Sequence, residues 1–180
     1  MKSALHAAAL GLAFLATPAF AHMGMKHDGC PTGQVFTAGD ITISGAFSRA
    51  TLPSAKIGGG YLVIENKGSS PDRLLGGSTE NAKAVQVHQM KMEGDMMKMG
   101  EIAGGLEIPA GSTVTLAPGG DAYHLMFMDI IQPLKSGECM DVTLEFEKAG
   151  AIPVQLNIGE IAADAPPEHM HHDMMMAPAQ

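Results

Sequence analysis

The chain has 180 residues, with 11 Lys and Arg against 19 Asp and Glu, for a formal charge of −8; this excludes the basic face that nucleic-acid phosphates demand. It carries no nucleophile motif, paired-carboxylate signature or phosphate loop. Gly58-Gly59-Gly60 follows Lys56-Ile57 without the P-loop order, so no enzyme activity is expected.

Residues 1–21 read as a signal peptide: Lys2 gives the positive start, an apolar run follows from Ala7 to Ala16, and Ala19-Phe20-Ala21 offers a small-x-small cleavage site. The run is too short to span a bilayer, and no later segment approaches that length. A protein exported in soluble form to a bacterial periplasm is expected. Residues 22–32, opening His22-Met23-Gly24-Met25-Lys26-His27, have no strand pattern and read as an N-terminal arm.

Removing the signal leaves 180 − 21 = 159 residues, enough for one domain with a sizeable core, placed at 33–162. Short β-rich segments recur: Ile41 to Phe47, Tyr61 to Glu65, Ala84 to Met90, Thr113 to Leu116, Ala122 to Met128, Val142 to Phe146 and Val154 to Ile158. Dense Gly, Pro, Asn and Ser punctuation separates them, and no segment after the signal keeps a helical period. The pattern predicts an all-β antiparallel sandwich or barrel of about seven to nine strands. Residues 163–180 carry Pro166-Pro167 and then His169-Met170-His171-His172-Asp173-Met174-Met175-Met176, and read as a flexible C-terminal tail. The two cysteines, Cys30 and Cys139, are expected to pair in an oxidising compartment. Closing a loop of about 110 residues would stabilise the fold by roughly 4 to 5 kcal/mol in the chain-entropy model.

The stretch "VHQMKMEGDMMKM", Val87 to Met99, sets methionines among lysines and acids. Methionine ordinarily fills apolar gaps, but the polar neighbours place at least some of these sulfurs near the surface of a turn-like segment. In Ala122 to Met128 the strand period puts Tyr123, Leu125 and Phe127 on the core face and His124 and Met126 opposite, about 6.6 Å apart along the strand. The same period in Ala84 to Met90 turns Val85 and Val87 inward and His88 and Met90 outward. A lone strand His is more often solvated and a lone Met more often packed. Two matching His-x-Met pairs, with His and Met crowding both termini, point instead to a metal site. Thioether sulfur with imidazole suits Cu(I) far better than Zn(II), Mg(II) or Ca(II). Neutral ligands leave the ion's charge uncancelled, which favours release to a thiolate acceptor over storage. Cys139 lacks the closely following His and Met of a blue-copper loop, which argues against electron transfer.

The runs "VHQMKMEGDMMKM", "GGLEIPAGSTVTLAPGG" and "YHLMFMDIIQPLKSGE" resemble the PCuAC family of periplasmic copper chaperones, over about Gly39 to Ile158. The family's pattern is a His, a Met eleven positions on, and a later His-x-Met. His88, Met99, His124 and Met126 fit it, with Met90, Met92, Met96 and Met97 near enough to compete. The resemblance implies a cupredoxin-like, Ig-like Greek-key sandwich holding one Cu(I) through two His and two Met. It further implies delivery to the dinuclear copper centre in subunit II of cytochrome c oxidase, in concert with a Sco-type thioredoxin-like protein. Some members carry a His/Met-rich extension that takes Cu(II), and His169, His171 and His172 resemble it. Cleavage after Ala21 would also place the amine and imidazole of His22 where they could chelate Cu(II). The alternatives are a periplasmic copper-buffering or resistance protein without a specific acceptor, and an adhesion or structural module with incidental methionines.

Overall fold

A computed structural model describes residues 30–120 and 122–167. The expected Cu(II) residues His22, His169, His171 and His172 lie outside that range. Eleven strands follow one another with no helix among the described residues: β1 (Val35–Ala38), β2 (Ile41–Arg49), β3 (Ile57–Asn66), β4 (Asp72–Thr79), β5 (Ala82–Glu93), β6 (Met96–Glu101), β7 (Leu106–Ile108), β8 (Thr113–Leu116), β9 (Tyr123–Ile130), β10 (Cys139–Phe146) and β11 (Gly150–Gly159). All expected strands are present, and β1, β4, β6 and β7 are added to them. The described fold is all-β.

Hydrogen-bonded neighbours run from β5 through β9, β3, β2, β11, β10 and β4 and back to β5, so the sheet closes on itself. Closure leaves few exposed edges. It is made possible by strands that change partner along their length. Strand β2 pairs with β1 over its first half and with β11, in parallel, over its last residues. The change coincides with a register break after Ser44 where Gly45 takes φ 61°, a left-handed conformation that glycine adopts without a Cβ penalty. Strand β5 likewise pairs with β4 near its start and with β6 over His88 to Glu93, while β9 lies along its other edge only as far as Gln89.

The interior is built by alternation. Ile41, Ile43, Leu62, Ile64, Val85, Val87, Leu125, Phe127, Leu144 and Leu156 are all buried in one apolar cluster, and each strand's alternate residues face away from it. Leu125 and Phe127 belong to this cluster whereas His124 and Met126 do not. Cys30 and Cys139 form a disulfide with Cα atoms 5.1 Å apart, which fixes the first described residue to the start of β10. At the other end the Arg49 Nε donates to the Ala163 carbonyl at 2.8 Å and its Nη2 meets Asp164 at 2.7 Å. Packing thus continues past residue 162.

Candidate metal centre

Strands β5, β9 and β3 lie side by side, and their registers align the polar and sulfur side chains on the outer face. His88 is directly opposite His124, Gln86 is opposite Met126, and Met126 is opposite Gly59 of β3. On the far side of β5, Met99 of β6 is opposite Met90. The imidazole centroids of His88 and His124 are 6.0 Å apart, and the Met99 Sδ is 3.2 Å from the His124 Nε2. Nitrogen and sulfur each bonded to one shared ion at about 2.0 to 2.3 Å would be roughly 3.5 Å apart in a tetrahedral arrangement.

His124 and Met126 do turn away from the core, yet each is only 6% exposed. Their outer face has its own cover: Met90 and Met99, the 50–55 segment, Tyr61 and Ile161 line an open cleft of about 480 Å³ together with His124 and Met126. Gly58 and Gly59 form part of its wall. A Cβ on Gly59 would come within 2.5 Å of the Tyr61 hydroxyl, so the glycine run that resembles no phosphate loop makes room on this face. Met99 itself is 50% exposed and forms the boundary between cavity and solvent. Met90 is half-buried and shares the lining, while Met92, Met96 and Met97 are exposed outside it.

Two residues that periodicity alone did not single out set the chemistry of His88. Its Nε2 is 3.0 Å from the Gln86 Oε1, and the Gln86 amide donates to Glu101 at 3.1 Å. The Glu101 carboxylate can only accept, so Gln86 turns its NH2 toward Glu101 and its carbonyl oxygen toward His88. That carbonyl requires the imidazole proton on Nε2. The lone pair is then left on Nδ1, which is buried and has no hydrogen-bond partner among the described residues. An unpartnered buried nitrogen is costly in a structure that serves packing alone, and a ring whose other nitrogen is fixed by a hydrogen bond is the usual arrangement at a metal ligand. The only sequence sign was Gln86 two positions before His88 on the same strand face.

Burial lowers the pKa of His88, with Glu101 acting in the opposite direction. For His124, burial is the largest cause of a lowered pKa; the neighbouring His88 adds to it and a hydrogen bond with the Ala122 backbone opposes it. Both rings are therefore held in the neutral state that coordination needs. Among the described residues no group of three or more His, Cys, Asp and Glu side chains converges to hold a metal. What converges is imidazole nitrogen and thioether sulfur, a soft donor set.

The family profile described as "Putative lipoprotein LpqE-like" matches residues 41–158. The chain belongs to the LpqE-like family. A relative described as "Putative lipoprotein Lxx21020", from Leifsonia xyli subsp. xyli (strain CTCB07), is 33% identical over 99 residues, covering 55% of this chain and 58% of its own length. The chain thus spans little more than half of that relative. Among solved structures, the "apo PmoF2 PCuAC domain" superposes with a TM-score of 0.61 at 26% identity, covering 73% of this chain and 99% of that one. "Copper-bound PCuAC domain from PmoF2" gives 0.59 at 26% identity over 71% and 98%. "Solution structure of CuI-DR1885 from Deinococcus Radiodurans" gives 0.53 at 28% identity over 70% and 80%. This LpqE-like chain has the architecture of PCuAC domains, as its sequence runs implied.

Proposed function

We propose that this LpqE-like protein is an exported copper carrier that holds Cu(I) between His88, Met99, His124 and Met126 and passes it on without catalysis. The observation that carries the reading is the convergence of the Met99 sulfur on the His124 nitrogen, beside a His88 nitrogen that is buried and unpartnered. Met99 is favoured over Met96 and Met97 because it lies on the cavity and faces His124; Met90 is the remaining competitor. The copper-bound PmoF2 domain and the Cu(I) form of DR1885 share the fold, which supports copper as cargo.

A partly exposed ligand at the mouth of the cavity fits a carrier better than a store, since an acceptor can attack the ion from the Met99 side. Delivery toward the dinuclear centre of cytochrome c oxidase, together with a Sco-type protein, is the destination implied by the PCuAC likeness. Export agrees with the apolar leader and with the lipoprotein descriptions of the relatives. In this chain the first cysteine beyond that leader is Cys30, and its sulfur is engaged with Cys139, so a free, unlipidated periplasmic form is proposed.

X-ray absorption on the Cu(I)-loaded protein tests the ligand set: two nitrogen and two sulfur neighbours are expected at one equivalent, and an oxygen-dominated shell refutes it. A deletion strain separates carrier from buffer. Loss of the carrier lowers oxidase activity at limiting copper, whereas loss of a buffer only raises copper sensitivity.

A further inference from the structure

The β5–β6 hairpin extends beyond the body of the protein. Strand β9 accompanies β5 only to the Gln89–Tyr123 pair, with one further bond from the Met90 amide to the Ala122 carbonyl at 2.9 Å. From Lys91 to Lys98 the two strands have only each other among the described residues, joined by the two-residue turn Gly94-Asp95. Directly paired residues share a face, so one face of this ribbon presents Met90 with Met99 and then Met92 with Met97. The other presents Lys91 opposite Lys98, with Lys98 reaching Glu93. Met92 and Met97 are 55% and 51% exposed, contribute nothing to the apolar cluster and lie outside the cavity. A solvated ribbon is better served by Thr, Val or Tyr at such positions, so packing does not account for the two sulfurs.

We propose that Met92 and Met97 form a second Cu(I) station, one rung out from the Met90–Met99 pair, through which the ion enters and leaves the buried site. The inference rests on the copper-carrier reading above. Opposite side chains on paired strands have Cβ atoms about 4.5 to 5.5 Å apart, a span that two flexible thioethers close around one soft ion. The next rung inward is roughly 7 Å along the strand. Transfer is a ligand exchange: bonds from copper to Met90 and Met99 form as those to Met92 and Met97 break. Copper remains Cu(I), and no proton or electron moves. Two neutral ligands bind weakly and leave coordination positions open, which suits a station that an incoming acceptor must empty.

The test is methyl NMR of the mature protein carrying 13C-methyl methionine, titrated anaerobically with Cu(I), together with stopped-flow release to a bathocuproine chelator. The Met99 and Met126 methyls should shift over the first equivalent. The Met92 and Met97 methyls should shift together beyond it, and Met92→Leu should abolish the response of Met97 while leaving the first-equivalent shifts unchanged. The double variant Met92→Leu with Met97→Leu should slow release at least fivefold with first-equivalent affinity within twofold. A Met97 response that survives Met92→Leu, or an unchanged release rate, overturns the second station. Silence of all four methyls in the parent protein refutes the copper reading itself, whereas silence of Met92 and Met97 alone refutes only this station.

Discussion

Met126 and Gln86 meet across adjacent strands, and their substitution should separate holding a metal from holding the fold. Met126 is buried but outside the core cluster, so Met126→Leu preserves approximate volume and should change stability by less than about 1.5 kcal/mol. Cu(I) affinity should nevertheless fall at least tenfold in chelator competition, and an unchanged affinity would remove Met126 from the ligand set. Gln86→Leu deletes the group that keeps the proton on His88 Nε2; such outer partners are worth about 10- to 100-fold in metal affinity. The pH dependence follows from the same two rings. Because their pKa values are lowered in the folded protein, protons compete with copper only below the ordinary histidine value, near 6.5. Affinity should stay level through pH 6.5 and decline under it. The apo protein has the linked stability effect: as pH falls through 6.5 the unfolded chain takes up protons first, so stability is lost down to the folded pKa and levels off below it. A urea-midpoint series on apo protein, flat from pH 8 to 5, would contradict the burial argument. The His-x-Met spacing was legible in the sequence because strand period fixes which side chains share a face. The cover over that face was not, because Tyr61, Ile161 and the 50–55 segment come from distant parts of the chain.

At the level of strands, the segments recovered from sequence are those whose alternation feeds the core, such as β2, β9 and β10. Strand β6 reads in the sequence as part of a turn-like stretch because all its residues are exposed and, among the described residues, its only lateral support is β5; pairing holds it, and pairing leaves no periodic signature. Strand β4 was hidden by Gly76-Gly77. Gly76 takes φ 142° and Gly77 packs against the Thr143 carbonyl more closely than any Cβ allows, so residues that read as a loop are required by a bulged strand at close approach. Glycines of β3 and β6 differ by their surroundings in the same way. A Cβ on Gly60 would be 2.8 Å from the Phe127 ring in the core, whereas one on Gly100 would meet nothing within 4 Å. Gly60→Ala should therefore cost about 1 to 3 kcal/mol from overpacking and weaken Cu(I) binding by displacing β9. Gly100→Ala should be neutral or stabilising by up to about 1 kcal/mol. Urea unfolding of the two variants makes the comparison, and equal destabilisation would show that strand register rather than close packing sets the glycine requirement.

For the whole molecule, closure of the sheet and the disulfide do different work. Closure depends on β10 meeting β4 and on β11 meeting β2 in parallel, long-range pairings that local sequence does not encode. The disulfide joins residues separated by 109 positions, and neither cysteine lines the cavity beside His124 and Met126. Its contribution should therefore be mostly to the unfolded chain, about 5 kcal/mol by loop-closure entropy. Cys30→Ala with Cys139→Ala should lose stability of that order in urea unfolding while keeping first-equivalent Cu(I) affinity within about twofold. Reduction of the native pair should lose the same stability but gain something else. Two freed thiols bind Cu(I) more tightly than thioethers, so the reduced protein should take up an additional equivalent that the alanine variant does not. If reduced and alanine forms bind alike, the freed thiols are not competing for the cargo. If they differ as expected, locking both thiols into a disulfide leaves the thioethers and imidazoles as the soft ligands on the folded domain, and their weaker hold lets the ion be passed on.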